Sequence, residues 1–196
     1  MARWDPGTEQ RLTQAALDLF GAHGYDDVTI TQIAERAGIT RRSYFRYFPD
    51  KREVLFARSE QLPPIAADAV LAVDEHADPL SAALRAIIEI GTMLVTRTER
   101  AAERRAIISA SPELRERDRT KAAAVAAAME DALRHRGSTP AEAKLVAQIA
   151  VVAFENAYLR WIDAGGRESF AACVRDVAAT IHDAVTGTDD LATESR

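Results

Sequence analysis

The sequence predicts an all-α fold in two parts: a small N-terminal three-helix unit built on a helix-turn-helix, and a larger helical C-terminal part. Three observations predict it. Apolar residues recur at three- and four-residue spacing through most of the 196 residues, the period of helices with a buried face. No segment alternates Val, Thr and Tyr with polar residues, and no Asn-Gly or Asp-Gly pair marks a hairpin. Prolines follow capping residues at Asp78-Pro79, Ser111-Pro112 and Thr139-Pro140. That is how helices open, because the first helical residue has no intrahelical use for its N–H.

Residues 1 to 7 are expected to form a loose arm. From Thr8 to about His23 one stripe holds Leu12, Ala15, Ala16, Leu19 and Phe20, and Gly24 stops the helix. The next helix has Ile30, Ile33, Ala34 and Ala37 on one face. Thr29 is its N-cap and Gln32 completes a capping box. Gly38 ends it, Ile39 plugs the turn, and Thr40 caps a helix expected over Arg41–Phe48 with Tyr44 and Phe48 inward. Two short helices joined by a Gly turn, the second cationic, make a helix-turn-helix. After Pro49, Asp50 and Glu53 are expected to cap a fourth helix with Val54, Leu55 and Phe56 inward, which Pro63 and Pro64 end or kink. Further helices are expected near 79–97, 99–109, 112–136, 140–164 and 167–186. The last carries Phe170, Cys173, Val174, Val177, Ala178, Ile181 and Val185 on one face. The division predicted is 1–50 for the helix-turn-helix and 51–190 for the helical remainder.

Charge separates the two parts. The whole chain is −5, yet between Arg41 and Arg52 five Lys/Arg stand against one acid, a local balance of +4. Residues 1–60 hold nine Lys/Arg and nine Asp/Glu, so residues 61–196 carry the entire deficit. One positive patch on an acidic chain suits a polyanion met at a single face. Arg41, Arg42, Phe45 and Arg46 lie opposite Tyr44 and Phe48. Arginine matches phosphate oxygens and the O6/N7 edge of guanine, and Ser43 can bond either a phosphate or a base. Phe45 can touch a thymine methyl, and the hydroxyls of Thr40 and Tyr47 can reach backbone oxygens. Arg3 in the loose arm is a further possible contact. The competing reading is a solvated basic helix in an ordinary bundle.

The run ITQIAERAGITRRSYFRYFPDKREVLF resembles the DNA-binding signature of the tetracycline-repressor (TetR) family of bacterial transcriptional regulators, over roughly residues 8 to 56. The Ala34/Gly38 spacing, the Thr40 hydroxyl, the aromatic block through Phe48 and Lys51 carry the likeness. The resemblance implies a double-stranded DNA operator as partner. It implies Thr29, Thr31, Thr40, Tyr47 and Lys51 on or near phosphates, and Arg41, Arg42, Ser43 and Phe45 over base edges. The family usually has a small residue where Arg42 stands and tyrosine where Phe45 stands, so Phe45 lacks a hydroxyl and Arg42 offers an added readout.

The resemblance also implies a helical body that binds a small-molecule effector and forms a homodimer. Polar residues inside apolar helical runs are the candidate ligand contacts, because burying them requires a partner: Glu89, Thr92, Met93 beside them, Glu155, Asn156 and Tyr158. A structural or solvent-facing role is the alternative for each. The run FENAYLRWIDAGGRESFAACVRDVAATI resembles a TetR subgroup associated with acyl-CoA-like ligands, including regulators linked to mycofactocin systems. Arg97, Arg100, Arg104 and Arg105 would be the basic mouth of such a site, or simply a solvated face. Leu145 to Ile162 is apolar nearly all round, which marks a helix buried on two faces. With the last helix it is the expected dimer seam, a four-helix bundle from two subunits. The alternative is the core helix of a monomer. A dimer places two reading heads about 34–36 Å apart on a palindrome.

Other classes find little support. His23, His76, His135 and His182 show no metal-ligand spacing, and no Gly-rich phosphate loop or Gly-x-Ser-x-Gly elbow occurs. No enzyme activity, metal or cofactor is therefore expected. The densest apolar run, Ile149–Phe154, is six residues, against the roughly 20 of a membrane helix, and no leader pattern opens the chain. A single cysteine, Cys173, excludes an intramolecular disulfide, fits a cytoplasmic protein, and reads as a small core residue. A ligand-responsive repressor is the function expected. The alternative is a helical adaptor or small-molecule-binding protein without sequence-specific DNA binding.

Overall fold

The computed structural model describes residues 6–97 and 100–186. Among them every regular element is helical: α1 (Pro6–His23), α2 (Ile30–Arg36), α3 (Arg41–Tyr44), α4 (Leu62–Leu71), α5 (Pro79–Arg97), α6 (Ala101–Ala110), α7 (Pro112–His135), α8 (Pro140–Asp163) and α9 (Phe170–Thr186). Short 3-10 turns occupy Glu53–Leu55 and Ser59–Gln61. Arg3 lies outside the described residues.

The chain forms two compact units that do not follow the 1–50 and 51–190 division. The first runs to Glu60 and takes in Arg100–Lys121; the second holds the chain from Gln61 to the end of α5 and from Ala122 onward. The physical reason lies in the first unit's core. Helices α1, α2 and α3 with the turn after α3 offer Leu12, Ala15, Ala16, Leu17, Phe20, Ile33, Ala34, Tyr44 and Phe48, and Val54, Leu55, Phe56, Ile107, Ile108 and Leu114 close around them. On α1 the stripe turns slightly from expectation, with Leu17 buried and Leu19 only partly so.

Two stops are as expected: Gly24 (φ +82°) and Gly38 (φ +75°) both take the left-handed conformation that glycine adopts without a Cβ clash. Two arginines adopt it as well, Arg58 (φ 61°) and Arg100 (φ 59°), at a cost on the order of 1–3 kcal/mol each. Each is held by a carboxylate on α1. The Arg58 guanidinium donates to both Glu9 carboxylate oxygens at 2.9 and 3.3 Å. Arg100 Nη1 donates to Asp18 Oδ1 at 2.5 Å, while its other nitrogens engage Glu103.

The expected fourth helix is corrected. Asp50 does cap, its Oδ1 accepting from the Arg52 and Glu53 amides at 2.8 and 3.1 Å, but it caps a 3-10 turn. Pro63 and Pro64 do not end a helix; they sit in the first turn of α4, where a missing N–H costs nothing.

In the second unit α5 packs on α4, α8 and α9, and α8 packs on α9. The approach of α5 to α9 depends on Gly91: a Cβ there would lie 1.9 Å from Phe170 Cε1. Cys173 is fully buried, as expected. Arg136 gathers carbonyls of the turn that follows α4, donating to Val73 O and Asp74 O, each at 2.6 Å. On α8 a stripe of small residues, Ala143, Ala147, Ala150, Ala153 and Ala157, is buried. Leu145, Val152 and Leu159, seven apart on the same helix, are 58%, 50% and 38% exposed. By length and composition α5 over Pro79–Thr96 and α8 are each apolar enough to cross a membrane, which a six-residue run does not reveal; 33% and 28% of these spans are buried within the protein.

Candidate nucleic-acid interface

The helix-turn-helix is set by local polar contacts. Thr29 Oγ1 accepts from the Gln32 amide at 3.3 Å and Gln32 Oε1 accepts from the Thr29 amide at 2.8 Å, the expected capping box. After Gly38, Thr40 Oγ1 accepts from the Ser43 amide at 3.1 Å and shares a second hydrogen bond with Ser43 Oγ at 3.0 Å. The α-helix these caps start is shorter than the Arg41–Phe48 expectation. It ends at Tyr44, and Arg46 and Tyr47 bond back three residues rather than four. The tightening precedes Pro49 and leaves Tyr44 and Phe48 both inward, at 0% and 4% exposure.

Tyr44 anchors the segment twice. Its ring packs against Phe48 at 5.7 Å between centroids, and its hydroxyl donates to Asp50 O at 3.0 Å. Burial, with Asp50 and Glu53 adding to it, pushes that hydroxyl's pKa well above the ordinary tyrosine value, so it stays a donor. Burial also acts to raise the Asp50 carboxyl. The hydrogen bond from Arg52 and the two backbone amides outweigh it and hold Asp50 below the usual carboxylate range.

On the opposite side Arg41, Arg42, Phe45 and Arg46 are all exposed. Among the described residues Arg42 and Arg46 make neither a hydrogen bond nor an ion pair. Arg41 stacks over the Phe45 ring at 5.3 Å and likewise lacks a polar partner. Thr29, Thr31 and Thr40 are exposed, while Ser43 and Tyr47 are half-buried. Lys51 is different. Its ammonium turns back into the protein, donating to Tyr25 O at 2.8 Å and Val28 O at 3.0 Å. It also lies 4.0 Å above the Tyr25 ring.

Among the described residues the first unit's other lysines and arginines are engaged. Asp18 accepts from Arg36 and Arg100, and these two guanidinium groups hold its carboxyl below the usual range. Buried Glu53 takes Arg117 at 2.6 Å and Lys121 at 3.0 Å. Arg104 donates to Leu55 O at 2.7 Å and sits over the Phe56 ring, and Arg105 pairs with Asp118. Three of the four arginines proposed as a basic ligand mouth are thus structural in the first unit. The side chain of Arg97 lies outside the described residues. Nothing local in the sequence marks these roles, because the partners lie up to 82 residues away.

The six candidate ligand contacts fall on α5 and α8 of the second unit. Glu89, Thr92, Glu155 and Asn156 are exposed, and Asn156 Nδ2 donates to Val152 O one turn back at 2.8 Å. Met93 is half-buried. Tyr158 is buried, stacked between Phe154 and Trp161. A cleft of about 310 Å³ in the same unit is lined by none of them; it is polar, with Glu75, His76, Asp78, Arg136 and Glu142 around it.

Two capped helices about a Gly turn, presenting arginines with no polar partner among the described residues, form a helix-turn-helix. Residues 12–57 match the family of bacterial regulatory proteins described as the tetR family. The chain is similar to the HTH-type transcriptional regulator SrpR of Pseudomonas putida, at 48% identity over 50 residues. That stretch covers 26% of this chain and spans about a quarter of the relative's length. Solved structures share the fold over much more of the chain. The SmeT–triclosan complex aligns over 89% of this chain and 91% of its own, with TM-score 0.57 and 19% identity. The transcriptional regulator FadR from Bacillus subtilis, in complex with stearoyl-CoA, aligns over 86% and 94%, with TM-score 0.56 and 15% identity.

Proposed function

We propose that the chain is a ligand-responsive transcriptional repressor of the cytoplasm, which binds a palindromic operator as a homodimer and is released by a small apolar or acyl-type effector. The observation that carries the DNA reading is the exposed trio Arg41, Arg42 and Arg46, none with a polar partner among the described residues. An unengaged arginine keeps all its donors for phosphate or guanine. Arg41, Arg42, Ser43 and Phe45 take base edges, and Thr29, Thr31, Thr40 and Tyr47 take phosphates, with Arg46 beside them. On this reading the segment to about residue 50 reads DNA, braced by Arg100–Lys121 in the same unit, and the helices of the second unit respond to effector and dimerise.

The dimer reading rests on Leu145, Val152 and Leu159, which form an exposed apolar stripe along α8. Such a stripe suits the same helix of a second copy, related by a two-fold axis. The effector reading is supported by two solved structures of this fold, one a complex with triclosan and the other with stearoyl-CoA. Of the six candidate contacts, Met93 and Tyr158 are the ones turned inward, and the polar cleft beside Arg136 does not suit an acyl chain.

The test is selection of duplexes from a randomised DNA pool by the purified chain, followed by affinity measured against salt. The proposal expects an enriched palindrome whose binding weakens steeply as salt rises. Recovery of no preferred sequence contradicts it and favours the adaptor alternative. Sedimentation of wild type and Val152→Glu tests the seam: a dimer is expected for the first and a monomer for the second.

A further inference from the structure

We propose that Lys51 is a positioning residue of the helix-turn-helix and not a phosphate contact; the inference rests on the DNA-binding reading above. An ammonium has three donors and no acceptor capacity. In this structure two of the donors meet carbonyls at full hydrogen-bond distance, Tyr25 O at 2.8 Å and Val28 O at 3.0 Å, and Asp26 O lies at 3.5 Å. The charge itself sits 4.0 Å over the Tyr25 ring, on its negative face. A lysine so placed has little left to offer a phosphate without leaving those carbonyls unpaired.

The chain position of these contacts gives them their role. Residues 25–28 lead directly to Thr29, the cap that starts α2. Lys51 follows Asp50, whose carbonyl receives the Tyr44 hydroxyl from α3. The ammonium therefore ties the segment entering α2 to the segment leaving α3, closing the two ends of the reading motif on each other. Its platform is fixed in turn: Tyr25 is 6% exposed, its hydroxyl donates to Glu113 Oε1 at 3.2 Å, and Arg52 pairs with both Asp50 and Glu113. Removing the ammonium leaves inward carbonyls on residues 25 and 28 and frees α2 to shift against α3. Sequence-specific contacts depend on that register; attraction to phosphates from exposed arginines depends on it far less.

The experiment compares wild type with Lys51→Met, which keeps an unbranched apolar stem. Affinity is measured from about 50 to 300 mM salt for the duplex best enriched by wild type and for a scrambled duplex of equal composition. A lost phosphate contact would lower the slope of log K against log salt by about 0.9. A lost positioning contact leaves the slope of the folded variant unchanged, weakens the enriched duplex about ten-fold or more, and moves the scrambled duplex by less than about two-fold, because specificity rests on groove contacts while non-specific binding is electrostatic. A slope lowered by about one, equal weakening of both duplexes, or no change in either overturns the proposal. A second measurement needs no variant. In wild-type protein the Lys51 ε-methylene protons, shielded by the Tyr25 ring, keep their shifts when the enriched duplex is added; their movement to unshielded values overturns the proposal. If wild type enriches no duplex at all, the DNA reading fails and takes this inference with it; a wild type that enriches and a variant with a shallower slope fail the inference alone.

Discussion

Residues 41–52 hold five Lys/Arg against one acid, and residues 100–121 hold seven against four. By charge alone the two stretches are nearly equivalent, at +4 and +3. In the second stretch every cation has a partner: Arg100 with Asp18 and Glu103, Arg104 with Leu55 O, Arg105 with Asp118, Arg115 with Ser109 O, Arg117 and Lys121 with Glu53, and Arg119 with Glu116. In the first stretch Arg52 and Lys51 are also engaged, and Arg41, Arg42 and Arg46 stand without a polar partner among the described residues. Density of positive charge along a sequence therefore does not locate a nucleic-acid surface. What sets residues 41–46 apart is three unengaged arginines within six residues, whereas Arg85, Lys144 and Arg175, also exposed and without a polar partner among the described residues, stand singly.

The contrast can be tested most forcefully where the engaged set is most buried. Glu53→Gln removes the carboxylate shared by Arg117 and Lys121 and leaves two partly buried cations without a counter-charge. A loss of about 3 kcal/mol in urea unfolding is expected, with no change in base preference among molecules that remain folded. In the unengaged set the expected effects reverse. Arg42→Ala alters preference at one operator position by about 1–3 kcal/mol, read by competition among single-base variants, while its unfolding free energy stays within about 0.5 kcal/mol of wild type. A fall in stability as large as that of Glu53→Gln would place Arg42 with the structural arginines.

The smallest effect is one of pH. The folded-state pKa of Asp18 is depressed by Arg36 and Arg100, so its contribution to stability is present above the ordinary aspartate value of about 3.9 and fades as pH falls through the lower folded value. Asp18→Asn should therefore lower the thermal midpoint at pH 7. The gap to wild type should narrow as pH drops below about 4. A gap that is constant with pH would mean the pair contributes through shape rather than charge.

What was legible in the sequence follows the range of each interaction. The Thr29–Gln32 box, the Thr40 cap, the Gly38 stop and the Thr139 cap of α8 are settled within three or four residues, and each stands where the pattern puts it. The prolines at 79, 112 and 140 likewise open α5, α7 and α8. Pro63 and Pro64 misled because the chain before them is a 3-10 run rather than a helix, so they begin an element instead of breaking one. The return of Ile107, Ile108 and Leu114 to the first unit's core was not readable. Nor was the inward turn of Lys51, whose acceptors lie more than 20 residues upstream. The outward side of α3 was legible because Tyr44 and Phe48, four apart and aromatic, leave the arginines only one other direction.

The most direct measurement is the salt dependence of binding to the enriched duplex for wild type, Arg41→Ala/Arg42→Ala/Arg46→Ala, and Arg104→Ala/Arg105→Ala. The account predicts that the first triple variant loses specific binding and that whatever binding persists shows a slope shallower by about 0.9 for each phosphate contact removed, with its thermal midpoint preserved. It predicts that the second variant loses thermal stability and keeps the wild-type slope. A triple variant that binds with wild-type affinity and slope, or a second variant that is stable and has lost its slope, would contradict it.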